Sequence, residues 1–148
     1  MSKVPMARCE FDASELLLRL DVEVEATLDA VRALIDDIMK TVTELGCAAD
    51  REDDIRLAIE EALTNAVVHG CRSDPSKKVQ CCVACDHNRG MLIVVRDPGP
   101  GFDPASVPSP IVGKNIYAEH GRGIFLINQM VDEVHFEQGG TEIHMRVK

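Results

Sequence analysis

In the stretch IRLAIEEALTNAVVHG, residues 55–70, Glu61, Asn65 and His69 recur every four residues. Read as one helix, that spacing stacks the three side chains on one face. Ile55, Ile59, Ala62 and Ala66 line a neighbouring apolar stripe at helical spacing. Asn is a poor interior helix former, because its amide competes for backbone hydrogen bonds. An amide and a carboxylate one turn apart therefore need a reason beyond packing. Phosphoryl transfer supplies one: the Asn65 amide oxygen is a hard ligand suited to Mg²⁺. Glu61 is placed to take a proton from a hydroxyl aimed at a γ-phosphate.

Two further polar features lie far downstream. Asp97-Pro98-Gly99-Pro100-Gly101 ends an apolar run, and Gly121-Arg122-Gly123 opens a helical pattern. Each feature alone has an ordinary explanation: a solvated Glu, a turn, a loop entry. Together they fit one ligand. A half-buried carboxylate at a strand end must find donors, and a purine amine is one. Gly99 and Gly101 permit positive φ and let a flat ring approach the backbone. Gly121 and Gly123 expose amides at a helix start, which bind phosphate by hydrogen bonds and dipole, and Arg122 adds charge. Neither a Walker G-x-x-x-x-G-K-[ST] nor a G-x-G-x-x-G occurs, so the common phosphate loops are absent.

The elements that must hold these residues follow from periodicity. Residues 16–20 read as a strand, with a short earlier one near 9–11. Residues 25–45 read as a helix, with Leu28, Val31, Leu34 or Ile35, Ile38, Val42 and Leu45 inward and Gly46 as its C′ residue. Asp50 is the expected N-cap of the second helix, which Gly70 ends. Residues 77–86 alternate as a strand, with Val79, Cys81, Val83 and Cys85 on one face. A hairpin turn at 87–90 leads to a strand over 91–97 whose continuous apolar core marks it as central. Residues 102–119 form a long Pro- and Gly-containing loop, of the kind that is usually functional. A helix follows to 130 or 131, with Ile124, Ile127 and Val131 inward. Then come a strand over 134–137, a turn at Gln138-Gly139-Gly140 and a last strand over 142–147. The fold class is α+β: one domain over 1–148, with helices on one face of a mostly antiparallel sheet.

The chain has 148 residues, 45% of them apolar, and a formal net charge of −9. That acidity argues against a nucleic-acid surface or an anionic membrane. With no Trp and one Tyr, base stacking on aromatics is not the binding mode. No apolar run is long enough to span a bilayer, and the N-terminal stretch has no h-region, so a cytoplasmic protein is expected. Six cysteines are then expected as thiols. Cys82 and Cys85 form a C-x-x-C inside a strand, where alternation sends their sulfurs to opposite faces.

The wording of the three features resembles the GHKL ATPases, which include gyrase and the histidine kinases. Residues 61–70, EALTNAVVHG, look like the N box, Asp97-Pro98-Gly99-Pro100-Gly101 like the G1 box and Gly121–Gly123 with Ile124-Phe125-Leu126-Ile127 like the G2 box, in the family's order. The small anti-sigma-factor serine kinases of bacterial partner-switching systems are the branch most resembled. The resemblance implies a Bergerat α/β sandwich binding ATP with Mg²⁺. Asp97 would bind the adenine amine, assisted by Thr141, and Asn65 would hold Mg²⁺. Glu61 would be the catalytic base, although Glu60 adjoins it. Gly121, Arg122 and Gly123 would contact phosphates, with 102–119 as the ATP lid and Lys114 a further candidate contact. Arg122 departs from the apolar residue many relatives carry there. His69 is left outside the chemistry, as a packed or capping residue. The implied partners are a small anti-anti-sigma (STAS-domain) protein, phosphorylated on serine, and a sigma factor, with the chain a homodimer.

The short chain argues against a histidine kinase, which needs a dimerisation helix pair bearing a phospho-accepting His, and against gyrase-like ATPases, which need further domains. The alternative is a nucleotide-binding module that sequesters a partner without phosphotransfer.

Overall fold

Strand pairing begins with the alternation of β2, Lys78–Asp86. Its Val79, Cys81, Val83 and Cys85 enter the main core, while Cys82 and Ala84 join a smaller cluster with Leu92 and Val94 on the opposite face. The C-x-x-C sulfurs are thus split between the two faces. The computed structural model describes residues 16–48, 50–86, 90–99 and 127–148. The expected strand near 9–11, the hairpin turn at 87–89, the loop at 102–119 and residues 100–126 as a whole lie outside the described residues.

β1 (Leu16–Glu25), β2, β3 (Gly90–Arg96), β4 (Glu133–Glu137) and β5 (Glu142–Val147) form one sheet in the order β1-β2-β3-β5-β4. All four pairings are antiparallel. β3, whose apolar run predicts a central strand, is the middle of the five. Ile93 and Val94, on its two faces, are both fully buried, which is why the run is continuous rather than alternating.

Among the described residues, two long helices cover one face. α1 spans Leu28–Leu45 and α2 spans Glu52–Asn65. Val31, Ile35, Ile38 and Val42 of α1 and Ile55, Ile59 and Leu63 of α2 pack with the inward residues of β2, β3 and β5 in one core. Ile127 and Val131, bracketing the short helical segment 127–130, join the same core. Leu28 and Leu45, expected inside, are exposed at the ends of α1. No described helix is long and apolar enough to cross a membrane.

Two helix starts differ from the sequence reading. α1 begins at Leu28 rather than 25, because Glu25 still pairs with Lys78 in the sheet. Thr27 caps the helix instead, its hydroxyl oxygen accepting the Ala30 N–H at 3.1 Å. Gly46 is the C′ residue as expected, with φ 66. α2 is capped at Arg51, not Asp50, and with no side-chain cap bond. Tertiary contact decides this: the Arg51 guanidinium donates to Asp132 at 2.9 Å and to the Met130 carbonyl at 2.7 Å, tying α2 to the segment before β4. Glu52, Asp53 and Asp54 in the first turn still favour the helix dipole.

The stretch 55–70 is also not one uniform helix. α-Helix ends at Asn65, and Ala66–Gly70 form a π turn in which the Cys71 N–H reaches the Ala66 carbonyl at 2.8 Å. A π turn carries more residues per turn, so His69 leaves the regular row of Glu61 and Asn65. Such turns within α-helices are frequent at functional sites.

Candidate functional site

The sequence features at 55–70 and 97–101 meet in space at Gly70 and Asp97. A Cβ at Gly70 would collide with the Asp97 carboxyl, and one at Gly99 would overlap the Gly70 carbonyl oxygen and lie 2.8 Å from Asp97 Oδ1. Gly70 therefore does more than end a helix. It leaves the room into which the carboxylate is packed. Gly99 has the same purpose: it does not take a positive φ, so close approach, not backbone freedom, requires the glycine. The signal for Gly70 was present in the sequence, but a glycine after a helix reads as a stop and its partner is 27 positions away.

Asp97 follows directly on β3. Its backbone N–H donates to the Thr141 carbonyl at 2.9 Å, extending the sheet by one rung and fixing Asp97 beside the turn before β5. Asp97 Oδ1 accepts the Gly99 N–H at 2.8 Å. Burial pushes the carboxyl above its ordinary value, opposed by that single N–H. A half-buried acceptor with spare lone pairs suits a neutral N–H donor such as a purine amine. Thr141 sits one residue before β5, its hydroxyl donating to the Gln138 carbonyl at 2.8 Å, which leaves its oxygen able to accept.

Glu61 and Asn65 lie on the last turns of α2, both half-buried, about 6 Å apart along the axis at 1.5 Å per residue. The neighbouring Glu60 is held by Arg56 at 3.2 Å, and Arg56 in turn by Asp36 of α1 at 2.7 Å. One of two adjacent carboxylates is thus engaged in a surface ion pair, a distinction the sequence left open. Asn65 presents a neutral oxygen donor of the class Mg²⁺ accepts.

A cavity of about 470 Å³ adjoins Asp97, Pro98, Gly99 and Thr141, within the size range of small-molecule sites. Lys78, Gln80 and Arg96 also line it. Gln80 and Arg96 point away from the helices, so the cavity wraps round the end of the sheet, and Glu61 and Asn65 do not border it. Gly101, Gly121, Arg122 and Gly123 lie outside the described residues. The structure thus brings together Asp97, Gly99, Thr141 and the end of the Glu61/Asn65 helix.

The histidine kinase-like ATPase domain model matches residues 24–147. The serine-protein kinase RsbW of Staphylococcus epidermidis is 26% identical over 134 residues, covering 85% of this chain and 84% of its own. The anti-sigma F factor of Clostridium novyi (strain NT) is 29% identical over 126 residues, covering 80% and 81%. The crystal structure of the RsbU and RsbW domains of a Mycobacterium tuberculosis protein superposes with a TM-score of 0.59 over 88% of this chain at 20% identity, a likeness of fold. This chain spans about a third of that one, 31%.

Proposed function

This chain belongs to the histidine kinase-like ATPase domain family, and from that premise we propose that it is an ATP-dependent protein-serine kinase and anti-sigma factor of a partner-switching system. The observation that carries the reading is the Asp97 carboxyl set between Gly70 and Gly99, which joins the helix of Glu61 and Asn65 to the end of the central strand. The names of the S. epidermidis and C. novyi relatives support the kinase and anti-sigma parts.

ATP bound with Mg²⁺ supplies the γ-phosphoryl group and the charge neutralisation that its transfer needs. Asp97 accepts the adenine N–H through the oxygen not committed to Gly99, and the Thr141 hydroxyl completes that contact. Asn65 would hold the metal through its amide oxygen. Glu61, one turn earlier, would take the proton of the partner's serine hydroxyl as that oxygen bonds to the γ-phosphorus, the bond to the bridging β-phosphate oxygen breaking and ADP leaving. In this reading Gly121, Arg122 and Gly123 would contact the phosphates, and 102–119 would be the ATP lid of the single domain of 1–148. The partners are a small anti-anti-sigma (STAS-domain) protein, which receives the phosphate, and a sigma factor, which is sequestered. The protein acts in the cytoplasm as a homodimer, without nucleic acid or membrane.

The test is transfer of label from γ-labelled ATP, with Mg²⁺, to a serine of a purified anti-anti-sigma (STAS-domain) protein from the same organism. Labelled phosphoserine is the expected result. Nucleotide binding and partner capture without label would overturn the kinase reading in favour of a sequestering module.

A further inference from the structure

β4 and β5 carry a second group of side chains that the nucleotide chemistry does not use. β4 contains His135-Phe136-Glu137 and β5 contains Glu142-Ile143-His144. Phe136 and Ile143 face the main core, so alternation sends His135, Glu137, Glu142 and His144 to the outer face. The register sets His135 opposite His144 and Glu137 opposite Glu142. The result is a cross-strand square of two imidazoles and two carboxylates.

The square is tight. The imidazole rings stack at 4.6 Å between centroids, 11° from parallel. His144 Nε2 lies 2.7 Å from Glu142 Oε1 and 3.3 Å from Glu137 Oε2, and His135 Nε2 lies 3.5 Å from Glu137 Oε1. One ligand atom from each of His135, Glu137 and His144 lies within 4.8 Å of the others. Two carboxylates directly opposite on neighbouring strands repel, and Glu142 and His144 have side chains only 3% and 1% exposed. The Arg96 guanidinium, 3.8 Å from Glu142, balances one carboxylate of the two.

Zinc bonds of about 2.0–2.1 Å in a tetrahedron place neighbouring donors about 3.3 Å apart. The 3.3 Å and 3.5 Å separations, made by the two oxygens of the Glu137 carboxylate, match this spacing, and the half-exposed His135 ring must swing out of the stack to bring the wider separations, within 4.8 Å, to it. We propose that His135, Glu137 and His144 bind one Zn²⁺ ion on the outer face of the β4–β5 ribbon. The imidazoles coordinate as neutral ligands, and Glu137 supplies one negative charge. Any proton on the coordinating imidazole nitrogens leaves to solvent as the metal binds. Three protein donors leave the fourth position to a water molecule, and the ion ties the edge strand β4 to β5.

The experiment uses the full chain, stripped with chelator. Titrated Co²⁺ should produce tetrahedral d–d bands in the visible that saturate at one equivalent, show no thiolate charge-transfer band, and vanish on addition of Zn²⁺. Competition with a chromophoric chelator then gives the Zn²⁺ affinity. His135→Ala and Glu137→Gln should each weaken it by about tenfold or more, and Zn²⁺ should raise the Tm of the wild type but not of the double variant. Both side chains are about half exposed, so the variants fold, and circular dichroism verifies it. No d–d band, a thiolate band, or unchanged affinity in both variants would overturn the site.

Discussion

Replacing Asp97 by Asn should weaken ATP binding and, at neutral pH, leave the fold as stable as before or more so. Asp97 Oδ1 already accepts the Gly99 N–H at 2.8 Å. The substituted amide keeps its carbonyl on that donor and turns its NH₂ toward the nucleotide, where an acceptor is needed. Losing a hydrogen bond to a charged group costs about 2–3 kcal/mol, or about 30- to 150-fold in Kd. Stability moves the other way. Burial holds the folded-state carboxyl above 3.8. As pH rises, the unfolded chain ionises first, so the stability present below 3.8 is lost as pH passes through the raised folded value. At pH 7 the wild type carries a buried charge that the amide does not. Titration calorimetry with ATP and Mg²⁺ and thermal melts from pH 4 to 8 read both effects. The variant's Tm advantage should shrink toward the acid end. An affinity change below about threefold, or a Tm that falls at pH 7, would refute the reasoning.

Glu61→Gln should lower phosphotransfer about 10²- to 10⁴-fold with ATP affinity unchanged in calorimetry. Glu60→Gln, which only breaks an exposed pair with Arg56, should retain transfer and cost under about 1 kcal/mol in urea unfolding. Gly70→Ala drives a methyl into the Asp97 carboxyl and should cost about 1–3 kcal/mol together with ATP affinity. Gly46→Ala meets no atom within 4 Å, so it should cost only the strain of a positive φ, about 1–2 kcal/mol, and leave ATP binding intact. Burial pushes the Cys81 and Cys85 thiols up to about 12. Mass spectrometry should find both unmodified by iodoacetamide at pH 8 in the folded protein and alkylated after unfolding.

The parts of the fold that were legible in the sequence are those that local physics dictates. The β2 alternation, the continuous apolar run of β3, Gly46 at the end of α1 and the turn at Gln138–Gly140 each need only neighbours to be read. The misread boundaries are those where a distant group intervenes. Lys78 holds Glu25 in the sheet, and Asp132 and Met130 hold Arg51 at the start of α2. Nothing within a few residues of either position carries that information.

The same division runs through the sites. Sequence alone singled out the side chains proposed to carry the chemistry, because a carboxylate and an amide four residues apart on a helix, and an Asp with glycines after an apolar strand, are choices that packing does not require. Tertiary structure decided what they face. It set Asp97 against Gly70, gave Gly99 a steric task instead of a conformational one, engaged Glu60 with Arg56 and so set it apart from Glu61, and turned His69 out of the row through a π turn. It also made a square of His135, Glu137, Glu142 and His144, which only the β4–β5 register reveals. Residue type is a local property, whereas proximity is set by strand register and helix packing, which depend on the whole core at once.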